Sequence, residues 1–149
     1  MLAARYQDGP NFAFNAVPYI RSLLLAGQRD EAQSVADRLR DANPGAAEAN
    51  LLAGDIRIMR GDAAHALIDY SNAAAIRFNE PVMVRMDAAL RAMGRSADAD
   101  SMTSRYLLQN PQSIPAMKIL ASAWQSGPRQ GAGDAMVTAL QARGIAPPR

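Results

Sequence analysis

The sequence predicts an all-α fold built from about four repeated helical hairpins. Alanine, which has the highest intrinsic helix propensity, supplies 31 of the 149 residues. Four glycines lie 34, 33 and 33 residues apart, and each is followed five residues later by an alanine. The glycines are Gly27, Gly61, Gly94 and Gly127, and the alanines are Ala32, Ala66, Ala99 and Ala132. A fixed period of this length is typical of a helical repeat.

The period also places the boundaries of the repeats. Pro10 and Pro44 are 34 residues apart, and Pro44 and Pro111 are 67 apart, close to two periods. The predicted hairpins cover residues 11–44, 45–78, 79–111 and 112–143. Residues 1–10 are interpreted as the tail of a truncated preceding repeat, and residues 144–149 as a Pro-rich tail.

The first helix contains Pro18, and proline inside a helix costs about 3 kcal/mol. The sequence therefore predicts a short helix over about Ala16 to Ala26, with Asn15 as its N-cap and Pro18 in its first turn. Phe12 and Phe14 are expected on a lead-in segment.

The second hairpin has the clearest pattern. Apolar residues at spacings of three and four predict a helix over about Ala46 to Arg60. Gly61 is expected to supply the left-handed turn that ends it, and Asp62 to cap a return helix over about Ala63 to Arg77.

The last two hairpins repeat these signals. Asn79 is expected to cap the first helix of the third hairpin, Gly94 to end it, and Ser96 to cap the return helix. In the fourth hairpin, Ser113 is the expected cap and Pro115 falls in the tolerated first turn.

These features resemble the tetratricopeptide repeat (TPR) family over about residues 11 to 143. The periodic alanines match the small residue where the family's two helices cross closely. Gly54 and Tyr70 match its first-helix small residue and second-helix aromatic, whereas Arg57 replaces a usual aromatic, and Gly131 and Gly133 weaken the last unit. The family's early tryptophan is absent from all four units. The resemblance implies a right-handed α-solenoid that acts as a non-enzymatic scaffold for protein complexes.

Composition excludes several other classes of protein. The net charge is only +2, with cations and acids interleaved, so nucleic-acid binding is not expected and an RNA-binding repeat is the less favoured alternative. The chain has no cysteine, no recognisable signal peptide and no apolar run long enough to enter a membrane as a span. The Ala-rich, Arg-rich composition favours a bacterial source, and the sequence does not indicate a compartment.

Catalysis finds little support in the sequence. His65 is the only histidine, and its position at the start of a return helix favours a surface or packing role. Without a cysteine or a second histidine, the common nucleophilic triads and His/Cys metal sites cannot be assembled. We therefore expect no enzyme activity, no cofactor and no metal.

The resemblance implies that the first helix of each hairpin lines a binding groove. Stepping by the period aligns residues expected to hold an extended peptide or a partner helix, and the open alternative is that they serve partly in helix packing. The groove residues are Val17, Arg21, Leu24, Leu51, Asp55, Ile58, Val84, Arg85, Arg91, Met117, Lys118 and Trp124.

Two further expectations concern partners. The last helix carries Met136, Val137 and Leu140 with no polar capping helix after it, so self-association through this face is expected. The truncated start and Pro-rich end also leave open that the chain is a structural segment of a larger repeat protein whose activity lies elsewhere.

Overall fold

The computed structural model describes residues 12–148, and these form eight α-helices and no β-strand. The prediction of an all-α fold is confirmed. The predicted truncated repeat at residues 1–10 lies outside the described residues. The helices are α1 (Phe12–Leu25), α2 (Arg29–Ala42), α3 (Ala47–Met59), α4 (Ala63–Ile76), α5 (Glu80–Ala92), α6 (Ser96–Gln109), α7 (Ile114–Ala123) and α8 (Gln130–Ala142).

The helices form consecutive pairs within two compact units that divide between Phe78 and Asn79. In the first unit α1 packs on α2 and α3 on α4, and α2 also packs on α3. In the second unit α5 packs on α6 and α7 on α8, with further contacts of α6 and α5 to α7. No helix among residues 12–148 is both long and apolar enough to cross a lipid bilayer.

The turn glycines adopt the backbone conformation that the period predicts. Gly61 and Gly94 have φ values of 79° and 74°, a left-handed conformation that side chains disfavour. After Gly61, the Asp62 N–H donates to the Arg57 carbonyl over 2.9 Å and closes the end of α3. The predicted role of both glycines is confirmed.

Three of the predicted helix caps are confirmed and one is wrong. The side chains of Asp62, Asn79 and Ser113 each accept a backbone N–H from the first turn of the helix they precede. Ser96 is instead the first residue of α6, and the N-cap position belongs to Arg95, which makes no side-chain cap. The reason is positional, because Arg95 follows Gly94 as Asp62 follows Gly61.

The predicted start of the first helix is also wrong. Helix α1 begins at Phe12 and continues through Pro18, so Asn15 is not its cap. Proline removes one backbone donor, and this cost is offset where the same helix buries large side chains. Here Ile20 and Leu23 are buried in the core that α1 shares with α2 and α3.

Small residues permit close helix crossings, but the fourth hairpin uses a different one from that predicted. Ala32, Ala66 and Ala99 are fully buried in α2, α4 and α6. In α8 the buried residue is Gly133, where a Cβ atom would come 2.6 Å from the Trp124 carbonyl oxygen, whereas Ala132 is exposed. The α7–α8 connection is longer than the other hairpin turns, so the buried position moves by one residue.

Candidate peptide-binding surface

Four apolar residues were predicted to line the groove in the first unit. Val17 and Ile58 are 41% and 38% exposed, so both are accessible to a partner. Leu24 and Leu51 are half-buried, and Leu24 packs against the core of the unit. At Leu24, therefore, the packing interpretation holds at least in part, and peptide contact stays a prediction.

The two charged residues predicted in the first unit differ in their surroundings. Arg21 is exposed on α1. Asp55 is half-buried on α3 and accepts a hydrogen bond of 2.8 Å from the Tyr70 hydroxyl. Asp55 therefore orients the ring that packs over Gly54, where a Cβ would come within 2.5 Å of the ring.

In the second unit, the alignment of Met117 with Val84 is wrong by one residue. The caps Asn79 and Ser113 are 34 residues apart, not 33, so Met117 corresponds to Met83. Both methionines are buried, at 4% and 0% exposure. The position equivalent to half-buried Val84 is therefore Lys118 on the outer side of α7.

Arg91 lies at the centre of a charged network between α5 and α6. Its guanidinium donates to Asp87 over 2.7 and 3.1 Å and to Asp100 over 2.7 Å. The Asp87 side chain is only 4% exposed and also accepts a 2.6 Å hydrogen bond from Thr103. Burial lowers the pKa of Arg91, but the hydrogen bonds to Asp87 and Asp100 outweigh it and raise that pKa overall.

Trp124 extends the same network to the end of α7. Its indole N–H donates to Asp100 over 2.9 Å, and the Arg129 guanidinium lies 5.2 Å from the ring centroid. Because Arg91 and Trp124 share a carboxylate that holds helices together, replacing both would disturb folding as well as any binding. A test of binding has to use other residues.

A pocket of about 420 Å³ lies between α5 and α7 and contains two of the predicted residues. Its lining is Asp87, Ala88, Arg91, Lys118, Ile119, Ser122 and Ala123. The guanidinium of Arg91 is bound by aspartates, whereas Lys118 makes no ion pair with any residue in the described part of the chain. Arg85, one turn before Ala88, donates to the Pro81 carbonyl over 3.2 Å. The pocket therefore combines a half-buried ammonium group with small and hydroxyl side chains.

The sequence interpretation missed a second charged cluster, in the first unit. Arg57 donates to Asp69 over 2.7 Å and to Asp37 over 2.9 Å, and Arg40 donates to Asp69 over 2.8 Å. The Asp69 side chain is 3% exposed. The available signal was the presence of arginine at Arg57, where the family prefers an aromatic residue, because an arginine facing inward requires a carboxylate nearby.

Comparison with known proteins was informative at the level of structure. No protein-family model matches the sequence, and no curated protein matches it. The solved structure of MamA matches with a TM-score of 0.80 at 13% identity, over 96% of this chain and 84% of MamA. YrrB, described as a TPR protein with an unusual peptide-binding site, matches with a TM-score of 0.72 at 12% identity, over 95% of this chain and 74% of YrrB. The chain has the tetratricopeptide-repeat fold.

Within the TPR fold, His65 occupies a structural position. It lies on the exposed first turn of α4, where its ring nitrogen is 2.8 Å from the Asp62 carboxylate. Hydrogen bonds from the His65 side chain and backbone N–H lower the pKa of Asp62, so that carboxylate acts as a charged helix cap. Among residues 12–148 no group of three or more His, Cys, Asp or Glu side chains is placed to hold a metal ion.

Proposed function

We propose that the chain is a protein-interaction module that binds a peptide segment of a partner at the pocket between α5 and α7, with Lys118 as its anchor. This narrows the twelve-residue groove of the sequence analysis to its part in the second unit. The observation that carries the proposal is the half-buried Lys118 ammonium group, which has no carboxylate partner among the described residues.

The chemistry of the pocket favours an acidic peptide. A carboxylate from the partner would supply the counter-ion that Lys118 lacks, and a hydrogen bond between charged groups is stronger than one between neutral groups. The short side chains of Ala88 and Ala123 leave room for a peptide side chain, and the Ser122 hydroxyl can donate or accept. The likeness to YrrB supports a peptide as ligand through the shared fold alone.

The state of the arginines makes RNA a weaker candidate. RNA retention depends on free cations placed along one surface. Many arginines of this chain are bound to aspartates within their own unit, and these include Arg40, Arg57, Arg60, Arg91 and Arg95. Their charge is largely neutralised, so they contribute little to attraction of phosphates. Enzymatic activity is likewise no part of the proposal.

Lys118 offers a direct test because it is the only lysine in the sequence. Fluorescence anisotropy would compare labelled peptides rich in Asp and Glu with peptides of the same length rich in Arg. We expect the acidic peptides to bind, and Lys118→Glu to weaken their binding about tenfold or more. The acidic peptide should also protect Lys118 from acetylation, followed by mass spectrometry of the modified side chain.

The matched control is Arg105→Glu, which makes the same change in charge at an exposed position on α6. It should bind acidic peptides nearly as well as the unchanged chain. Equal weakening by both variants would reduce the effect to general electrostatics, and acetylation of Lys118 that is indifferent to the peptide would refute the site. Binding of single-stranded RNA that is retained at moderate salt would favour the alternative function.

A further inference from the structure

The second unit contains an apolar cavity that the proposed peptide site does not use. It has a volume of about 600 Å³ and lies where α6, α7 and α8 meet. Its lining is Ser104, Leu107, Leu108, Pro111, Met117, Leu120, Trp124, Ala132, Ala135, Met136 and Ala139. None of these side chains is charged, and Ser104 carries a buried hydroxyl without a hydrogen-bond partner in the described part of the chain.

The cavity follows from the altered packing of the fourth hairpin. Helix α7 has only 10 residues, and the backbone of α8 rests on the Trp124 carbonyl through Gly133. The side of α8 that faces the cavity carries the short side chains of Ala132, Ala135 and Ala139. A void of this size forfeits the contacts that a filled core would make, so something apolar is expected to enter it.

A large apolar side chain stands exposed at the edge of this cavity. Leu108, near the end of α6, lines the cavity and yet is 84% exposed. Among the described hydrophobic residues only Leu25, at 86%, is comparably exposed, and Leu25 lies on α1 in the first unit. The second unit therefore presents an apolar projection and an apolar hollow side by side.

We propose that this face pairs with a second copy of the chain, with Leu108 of each copy inserted in the cavity of the other. In a two-fold symmetric contact the same surface meets itself, so a projection beside a hollow is self-complementary. A small apolar ligand would fill the cavity but leave Leu108 in water. A foreign helix would have to supply a projection and a cover for Leu108 at once, on a face whose lining has no charge to direct it.

This proposal changes the self-association expected from the sequence. Of the three residues assigned to that contact, Leu140 is fully buried in the core and cannot reach a partner. Met136 lines the cavity, and Val137 is half-buried beside it on α8. The contact surface is therefore the α6–α8 face around Leu108, not the outer side of the last helix alone.

The experiment is sedimentation velocity at two concentrations a hundredfold apart, together with emission from Trp124, the only tryptophan. Because Trp124 lines the cavity, a leucine entering it displaces water and shifts the emission to shorter wavelength. We expect a dimer and a blue shift at the higher concentration for the unchanged chain. Leu108→Lys should remain monomeric at both concentrations without the shift.

Two further variants keep the test decisive. Leu25→Lys makes the same substitution at an equally exposed leucine of the other unit, and it should dimerise like the unchanged chain. Ala135→Leu fills the cavity from α8, and it should block dimerisation while leaving the helical circular dichroism intact. A strict monomer at both concentrations, dimerisation that survives Leu108→Lys, or loss of the dimer in Leu25→Lys would each overturn the proposal. A blue shift with decanol in a chain that stays monomeric would assign the cavity to a small ligand instead.

Discussion

The second and third hairpins solve the same helix crossing with opposite chemistry. In the second, Gly54 on α3 faces the ring of Tyr70 on α4. One period later, the equivalent positions hold Asp87 on α5 and Thr103 on α6, which share a 2.6 Å hydrogen bond. The first pair fills the crossing with an apolar ring over a missing side chain, and the second fills it with a buried carboxylate that Arg91 neutralises.

The comparison shows that the repeat preserves backbone geometry and leaves the side-chain solution free. A residue without a side chain permits a large partner, and a charged residue requires a donor and a cation. Each solution is complete only with both of its halves. Replacing one half should therefore cost more than a typical surface substitution, and the two crossings should fail for different reasons.

The largest expected effect comes from removing the cation of the third hairpin. Arg91→Met leaves the Asp87 carboxylate buried with only Thr103 as donor, and loss of one partner of a buried ion pair costs about 3 kcal/mol. Urea unfolding followed by the fluorescence of Trp124 reports on this unit. Arg95→Met is the control, because the Arg95–Asp98 pair is exposed and worth well under about 1 kcal/mol. Similar losses in both variants would contradict the assignment of the buried pair.

A smaller loss is expected from the second hairpin. In Gly54→Ala the new Cβ would lie 2.5 Å from the Tyr70 ring, and overpacking of this kind costs about 2 kcal/mol. Circular dichroism during thermal unfolding is the suitable measurement, because the only tryptophan lies in the other unit. Gly131→Ala provides the contrast, since α8 has open space there and alanine favours a helix by about 0.5 kcal/mol or more. Equal behaviour of the two variants would mean that the crossing can relax.

The smallest effect concerns the return-helix caps, which differ between the same two hairpins. Asp62→Ala should cost about 1 kcal/mol, and Arg95→Asp, which places a cap at the equivalent position of α6, should gain about 0.5 kcal/mol. The pKa of Asp62 is lowered in the folded chain, so its stabilisation is present above its ordinary value of 3.8 and is lost as the pH falls through the lower folded value. The difference in unfolding free energy between the unchanged chain and Asp62→Ala should therefore shrink in acid. A difference that is constant from neutral pH to strong acid would argue against the charged cap.

Periodicity predicted the fold well because it registers backbone constraints. Gly61 and Gly94 were found from spacing alone, since a left-handed turn must recur wherever a helix ends in the same way. The caps Asp62, Asn79 and Ser113 were found because they satisfy a local rule within three residues.

Local rules failed where distant residues decide the outcome. Pro18 stays within α1 because the packing of the whole helix outweighs one lost hydrogen bond. Met117 and Ala132 were misplaced because the fourth hairpin keeps the glycine period but changes the lengths of α7 and of its connection. Stepping by a fixed period therefore gave a wrong register in that hairpin only.

The sequence by itself determined that the chain consists of paired helices with defined turns, because turns, caps and apolar spacing act over a few residues. Only the tertiary structure decided which polar residues face inward. Arg57 and Arg91 became partners of buried aspartates, and Lys118 did not, although all three lie on first helices. The physical reason is that a buried charge is settled by the carboxylates that other helices bring to it, and those lie at distances along the chain that no local pattern records.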